Sequence, residues 1–256
     1  DVIQSYGGTI NDLMGDGIIV LFGAPVQRQD DTERAIACAL AMQQAMSRVN
    51  QQNELLGFPP LEMGIGLNTG EVVIGNIGSE AYMKYTAIGA HVNLAARVET
   101  FTVGGQVLIS EGTLADVKDP VQLSNTIEVQ MKGVAKPVTL YDITGITGKY
   151  NLTLQDSATE IMPIANHLSI AYCILTGKQL GADRFTGKII ALSEKDAIVR
   201  SSHLPKSLSN LKLELADMSA EIYAKVLCTN PDDSEFTLRF TMMPDAASQY
   251  LQHCRY

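Results

Sequence analysis

Apolar positions along the chain follow two rhythms. From Asp30 to Gly57 they recur at three- and four-residue spacing through Ile36, Ala39, Leu40, Met42, Met46 and Val49, the pattern of one buried helix face. Asp30 with Glu33 forms a capping-box pattern at its start, and Pro59-Pro60 follows its end. Earlier, two β-prone runs, 9–14 and 18–22, hinge on Gly15-Asp16-Gly17, a strong hairpin signal that places the Asp16 carboxylate at a tight tip. LEMGIGLN (61–68) and EVVIGNIG (71–78), joined through Thr69-Gly70, read as a second hairpin. Its glycines are spaced GxGxxxG and precede a strand, which excludes a dinucleotide-binding fingerprint. AHVNLAARVET (90–100) reads as a helix with Asn93 and Arg97 on one face. A strand (106–109), a short helix begun by Ser110 and strands at 127–131 and 138–143 complete an α+β pattern.

The rhythm then changes. A polar stretch between Thr144 and Ile164 separates this region from a strand-rich remainder, with runs at 167–176, 185–200, 211–215, 222–228 and 236–242. Asn230-Pro231-Asp232-Asp233 is a turn-rich loop between the last two, and a short helix (246–254) closes the chain. The expectation is a first domain over 1–147, a linker over 148–162 and a small β-barrel over 163–256.

Composition narrows the classes of function. With 256 residues, 46% hydrophobic, the chain can bury sizeable cores. Net charge is −9, which argues against a nucleic-acid surface, because such surfaces cluster Lys and Arg. The four cysteines, Cys38, Cys173, Cys228 and Cys254, are scattered without metal-ligand or disulfide spacing and read as reduced thiols of a cytoplasmic protein. No run reaches the roughly 18 apolar residues that span a bilayer. The opening without Met, inside a helix-to-strand connection, leads us to expect a piece of a longer protein, whose missing upstream part is a place for membrane attachment.

The strings INDLMGDGIIVLFGAP, MGIGLNTGEVVIGNIGS and YTAIGAHVNLAARVE stand in the order and spacing of the class III adenylate and guanylate cyclases, and KGVAKPVTLYDI resembles that family's closing strand pair. The resemblance covers residues 1 to about 145. It implies an α+β, ferredoxin-like palm domain that closes ATP or GTP into a 3′,5′-cyclic nucleotide, working as a homodimer with two Mg²⁺ or Mn²⁺ ions per site. By the same resemblance Asp16 is a metal-binding aspartate, Asn93 and Arg97 orient the ribose and stabilise charge at the α-phosphate, and Asp12, Gly15 and Thr86 face the substrate. An Arg is suited to that task by its planar, permanently charged donor fork. In the family arrangement Asp16 comes from one subunit, and Asn93, Arg97 and Thr86 from the other.

Three departures shape the expectation. Asp12 stands where adenylate cyclases often carry Lys; as a pure acceptor it suits the N1–H and N2 donors of guanine, whereas Thr86 resembles an adenine-type partner and the family as a whole inclines to ATP, so ATP is the expected substrate with GTP the alternative. Asp12 solvated and clear of the base is the competing reading. The family lysine for the terminal phosphate falls near Val134, so Lys132 or Lys136 would have to substitute. The family's first metal aspartate lies on a strand upstream of residue 1, so this chain alone is expected to turn over negligibly, one carboxylate being too few for two divalent cations.

The strand-rich remainder, with RFTGKIIALSEKDAIVRS, resembles a PilZ-type barrel followed by a terminal helix. That family binds cyclic di-GMP through RxxxR and [D/N]xSxxG; here only Ser193 survives, flanked by Ala191 and Asp196, so cyclic di-GMP is not an expected ligand and a structural or dimerising role is. For the whole, the alternative to a cyclase is a catalytically degenerate module that acts in dimerisation or regulation.

Overall fold

The chain divides into two compact units, residues 1–156 and 157–256. The structure, a computed structural model, describes residues 1–79, 81–131, 136–155, 160–176, 179–216 and 218–255. In chain order the first unit contains α1 (Val2–Ser5), β1 (Thr9–Met14), β2 (Gly17–Leu21), α2 (Asp31–Leu55), β3 (Ile65–Leu67), β4 (Val73–Ser79), β5 (Tyr82–Ile88), α3 (Ala90–Thr100), β6 (Val107–Ser110), α4 (Glu111–Asp116), β7 (Val121–Val129), β8 (Val138–Ile146) and β9 (Leu152–Thr153).

Its central sheet has the order β3-β6-β8-β7, with β9 also on β8. Ile36, Ala37 and Leu40 of α2 close over Val107, Ile109, Ile143 and Ile146 of β6 and β8, so the helical rhythm of the sequence becomes the main core contact. Burial pushes the Cys38 thiol on the same helix up to about 11, leaving it a packing residue.

Two expectations need correction. β3 does not pair with β4. It lies parallel to β6, and β4 pairs instead with β5 as a separate antiparallel ribbon. A Cβ at Gly66 in β3 would lie 2.3 Å from the Glu99 backbone nitrogen, so the strand is pressed against α3, and the Thr69 amide donates to Thr113 Oγ1 at 2.9 Å, which anchors the turn that leaves the sheet. The capping box does not form either: no side chain caps α2, and Glu33 accepts from the distant Lys118 amide at 2.8 Å.

Asp30 is engaged over a long range. It accepts from Lys149 Nζ at 2.6 Å, Tyr150 Oη at 3.0 Å and Arg34 Nε at 3.2 Å. Arg34, only 5% exposed, also ion-pairs with Asp31, donates to the Tyr6 carbonyl at 2.7 Å and lies over the Phe22 ring. One buried guanidinium therefore ties α2 to the α1–β1 turn and to the chain just beyond β2.

The second unit is a closed antiparallel barrel of β10 (Met162–Thr176), β11 (Gln179–Leu192), β12 (Asp196–Arg200), β13 (Asn210–Leu215), β14 (Met218–Asn230) and β15 (Glu235–Met242), in the order β10-β11-β12-β15-β14-β13, followed by α5 (Asp245–His253). Alternate residues such as Ile170, Tyr172, Leu213, Val226, Phe236 and Leu238 fill it, joined by Ala247 and Leu251 of α5. The single strand expected over 185–200 is two. Ser193 Oγ accepts the amides of Lys195 at 3.3 Å and Asp196 at 2.9 Å, a side-chain turn that reverses the chain.

Two stability effects follow in the first unit. Replacing Arg34→Met leaves Asp31 and part of Asp30 without their cation, and is expected to cost about 3 kcal/mol in urea unfolding. Lys149, Tyr150 and Arg34 hold the Asp30 carboxyl at about 2, below its ordinary 3.8. This contribution is complete above the unfolded value and is lost as pH falls toward 2, so Asp30→Asn should flatten the decline of urea stability between pH 4 and 2.

Candidate functional site

Two ribbons and one helix carry Asp12, Gly15, Asp16, Thr86, Asn93 and Arg97. In the β1–β2 ribbon, Met14 faces Gly17 across a two-residue tip of Gly15 and Asp16. Gly15 has φ 64°, which a residue with a side chain would adopt only under strain, and both tip residues are exposed. Among the described residues Asp16 makes no ion pair with any cation of its own chain, and no His/Cys/Asp/Glu cluster able to hold a metal is present. As one carboxylate at a solvent-facing tip, Asp16 fits a single ligand position on a divalent cation; the described residues do not supply the rest of a two-metal centre.

The same ribbon touches the β4–β5 ribbon through consecutive residues. Registers Ile10↔Val20 and Asp12↔Ile19 leave Asn11 as the extra residue of a β-bulge. A bulge re-aims a side chain that the pleat would otherwise point away. Asn11 Nδ2 donates to Thr86 Oγ1 at 3.3 Å, and its Oδ1 accepts the Ala87 amide at 3.2 Å. The adjacent Asp12 binds Lys84 Nζ at 2.7 Å and takes the Leu13 amide on the same oxygen at 2.9 Å. The bond from Lys84 holds the Asp12 carboxyl below the usual carboxylate range. Asp12 and Thr86 thus belong to one cluster within one protomer, and Asp12 is ion-paired rather than freely solvated.

β5 runs through Gly89 into α3, whose first turns present Asn93. Asn93 is exposed and Arg97, one turn later, is half-buried; among the described residues the Arg97 guanidinium meets no carboxylate, which removes the simple reading of a helix salt bridge. The helix start is pinned from the core side. Asn68 Nδ2 donates to the His91 carbonyl at 3.1 Å, and Ser110 Oγ donates to Asn68 Oδ1 at 2.8 Å. No hydrogen bond or ion pair joins Asp16 to Asn93 or Arg97 among the described residues. Lys136 is exposed, and Lys132 lies outside the described residues.

Sequence reasoning missed Asn11, Lys84 and Asn68. Lys84 and Thr86 are two apart and so share a strand face, a signal available only once β5 is recognised as a strand. Asn11 needed the bulge, and Asn68 needed the contact with α4 and α3.

Fold and site together define an α+β palm domain with paired ribbons and a polar helix face. The chain belongs to the family described as the adenylate and guanylate cyclase catalytic domain, matched over residues 4–145, more than half its length. It is similar to the solved guanylyl cyclase Cya2, at 55% identity and TM-score 0.59, over 60% of this chain and 79% of that one. It is also similar to the adenylyl cyclase CyaB from P. aeruginosa, at 34% identity and TM-score 0.55, over 59% and 78%. Among curated proteins, adenylate cyclase 1 of Rhizobium meliloti is 30% identical over 60% of this chain, and the adenylate cyclase of Anabaena cylindrica 31% over 55%. The chain spans only 23% and 29% of the lengths of those two relatives. No helix among the described residues is long and apolar enough to cross a membrane.

Asn68→Ala removes the bond to the His91 carbonyl at the start of α3 and the Ser110 bond behind it. It is expected to lower the stability of the first unit by about 1–2 kcal/mol and to speed hydrogen exchange of the first-turn amides of α3, read by mass spectrometry.

Proposed function

We propose that the first unit cyclises a purine nucleoside triphosphate, ATP or GTP, to the 3′,5′-cyclic nucleotide and pyrophosphate, as a homodimer. The observation that carries this reading is the Asn93/Arg97 face of α3, with an Arg guanidinium unclaimed by any described carboxylate, directly following the strand that bears Thr86. In the reaction the ribose 3′-oxygen attacks the α-phosphorus, the bond to the pyrophosphate oxygen breaks, and the 3′-hydroxyl proton passes to solvent. Arg97 stabilises the charge that builds on the α-phosphate, Asn93 orients the ribose, and the Asp12–Thr86 region meets the base. On this reading Lys132 or Lys136, four residues apart in sequence, meets the terminal phosphate. Mg²⁺ or Mn²⁺, held in part by Asp16, supplies charge neutralisation when bound.

Exposed apolar surface supports the dimer. Leu13, at 67% exposure, and Met14 on the first ribbon, with Val73 at 65% and Met83 at 60% on the second, present apolar surface that water disfavours. A twofold partner covering those ribbons would bring the Asp16 tip of one protomer to the α3 face of the other. We further propose that the barrel is a structural or dimerising unit. A groove on it of about 1220 Å³ is lined by Arg184 and Arg200, yet these are already paired with Glu214 and Glu235 at 2.6 Å. A cytoplasmic setting and the absence of nucleic-acid partners complete the reading.

The test uses the chain extended upstream through one further strand, assayed with ATP and GTP in Mg²⁺ and Mn²⁺. Arg97→Ala should lower kcat by at least about 100-fold. Asp16→Ala and Arg97→Ala proteins, each inactive alone, should regain about a quarter of the native rate when mixed and re-equilibrated, because half of the dimers are then mixed and each carries one intact site. Absence of cyclic product from either nucleotide in a verified dimer would leave the non-catalytic module as the correct reading.

A further inference from the structure

The Asp12–Lys84 ion pair is not accounted for by the reaction just described. It sits beside Thr86, on the same face of β5, at the place where the base is expected. Both partners are partly open to solvent, with side chains 30% and 39% exposed, so neither is needed to fill a core. Exposed pairs of this kind contribute little to stability. The chemistry of the pair is more informative than its energy.

Asp12 Oδ1 is occupied by Lys84 Nζ and the Leu13 amide, while Oδ2 carries no bond among the described residues. Lys84 has three N–H donors and gives one to Asp12, so the pair presents a free acceptor next to free donors. Thr86 Oγ1 accepts from Asn11 and keeps its own proton to donate. The order along the cluster is fixed: donors on β5, acceptor on β1.

We infer that Lys84 is a specificity-determining residue that, with Asp12, selects guanine over adenine; the inference rests on the proposed cyclase reading. A purine anchored by its ribose and phosphates offers its ring edge in one orientation. With the open Oδ2 of Asp12 facing N1, guanine donates N1–H to it and turns O6 toward the Lys84 ammonium and the Thr86 hydroxyl. Adenine in the same place sets N1, an acceptor, against a carboxylate and N6–H, a donor, against an ammonium. Since its partner holds the Asp12 carboxyl below the usual range, this acceptor is not lost to protonation at any pH near neutral.

The experiment compares kcat/KM for GTP and ATP in the upstream-extended chain, with displacement of a methylanthraniloyl-GTP probe by each nucleotide as a second reading of the same ratio. The native protein should prefer GTP. Lys84→Met should lower the GTP:ATP ratio about tenfold, the worth of one misplaced base-edge contact, and Lys84→Arg should largely keep it. The decisive variant combines Asp12→Lys with Lys84→Asp. It preserves an ion pair between the ribbons but exchanges donor and acceptor, and should invert the preference to ATP. A native preference for ATP, a ratio unmoved by Lys84→Met, or a GTP preference that survives the exchange would each overturn the inference while leaving cyclase activity standing. Failure to cyclise either nucleotide in every form would remove the proposed function and this inference with it.

Discussion

A two-stranded ribbon has no sheet around it to fix its position, and both ribbons that carry Asp12 and Thr86 are of that kind. What locates them is the bulge at Asn11. An uninterrupted β1 would send residues 11 and 12 to opposite faces. The extra residue lets both reach β5, Asn11 to Thr86 and Ala87, Asp12 to Lys84. Everything assigned to the base therefore depends on one irregularity in strand pairing, held by two amide hydrogen bonds and one ion pair.

Behind the ribbons the support is of a different kind. The β1–β2 ribbon is tied at its base by Arg34, which bonds the Tyr6 and Gly7 carbonyls while paired to Asp30 and Asp31. The start of α3 is tied by Asn68 and Ser110. A buried guanidinium must satisfy its donors or forfeit its hydration, so it specifies geometry more than it adds stability. Asp16 and Asn93 are exposed and Arg97 is half-buried, whereas Arg34 and Ser110, which stand behind these elements, are buried and bonded.

Local rules made much of this visible in the chain itself. The long helix, the Gly15-Asp16 tip, the α3 face and the Ser110 cap all follow from neighbours in sequence, and all are present. The misreadings share one physical cause, competition from distant partners. Asp30 abandons the capping box because Lys149 and Tyr150, over a hundred residues away, offer it stronger bonds. β3 leaves its expected hairpin because β6 supplies a parallel partner in the sheet. The β11–β12 break is the exception, a local Ser193 turn hidden inside a continuous β-prone run. Of the candidate site, the residue types were legible; that Asp12 has a cation of its own was not, since only tertiary pairing brings Lys84 beside it.

The placement of these groups also separates two tasks. Asp12, Lys84, Asn11 and Thr86 are bonded to one another inside a single protomer, so their geometry does not require a second chain. No hydrogen bond or ion pair among the described residues joins Asp16 to Asn93 or Arg97 in that protomer, and on the proposed dimer the phosphate chemistry is completed across the interface. A change in the angle or spacing of the two protomers would then move Asp16 relative to α3 while leaving the base-facing cluster intact. On the proposed reading turnover is open to control by whatever sets dimer geometry, and base choice is insulated from it, because the two depend on contacts made at different levels of assembly.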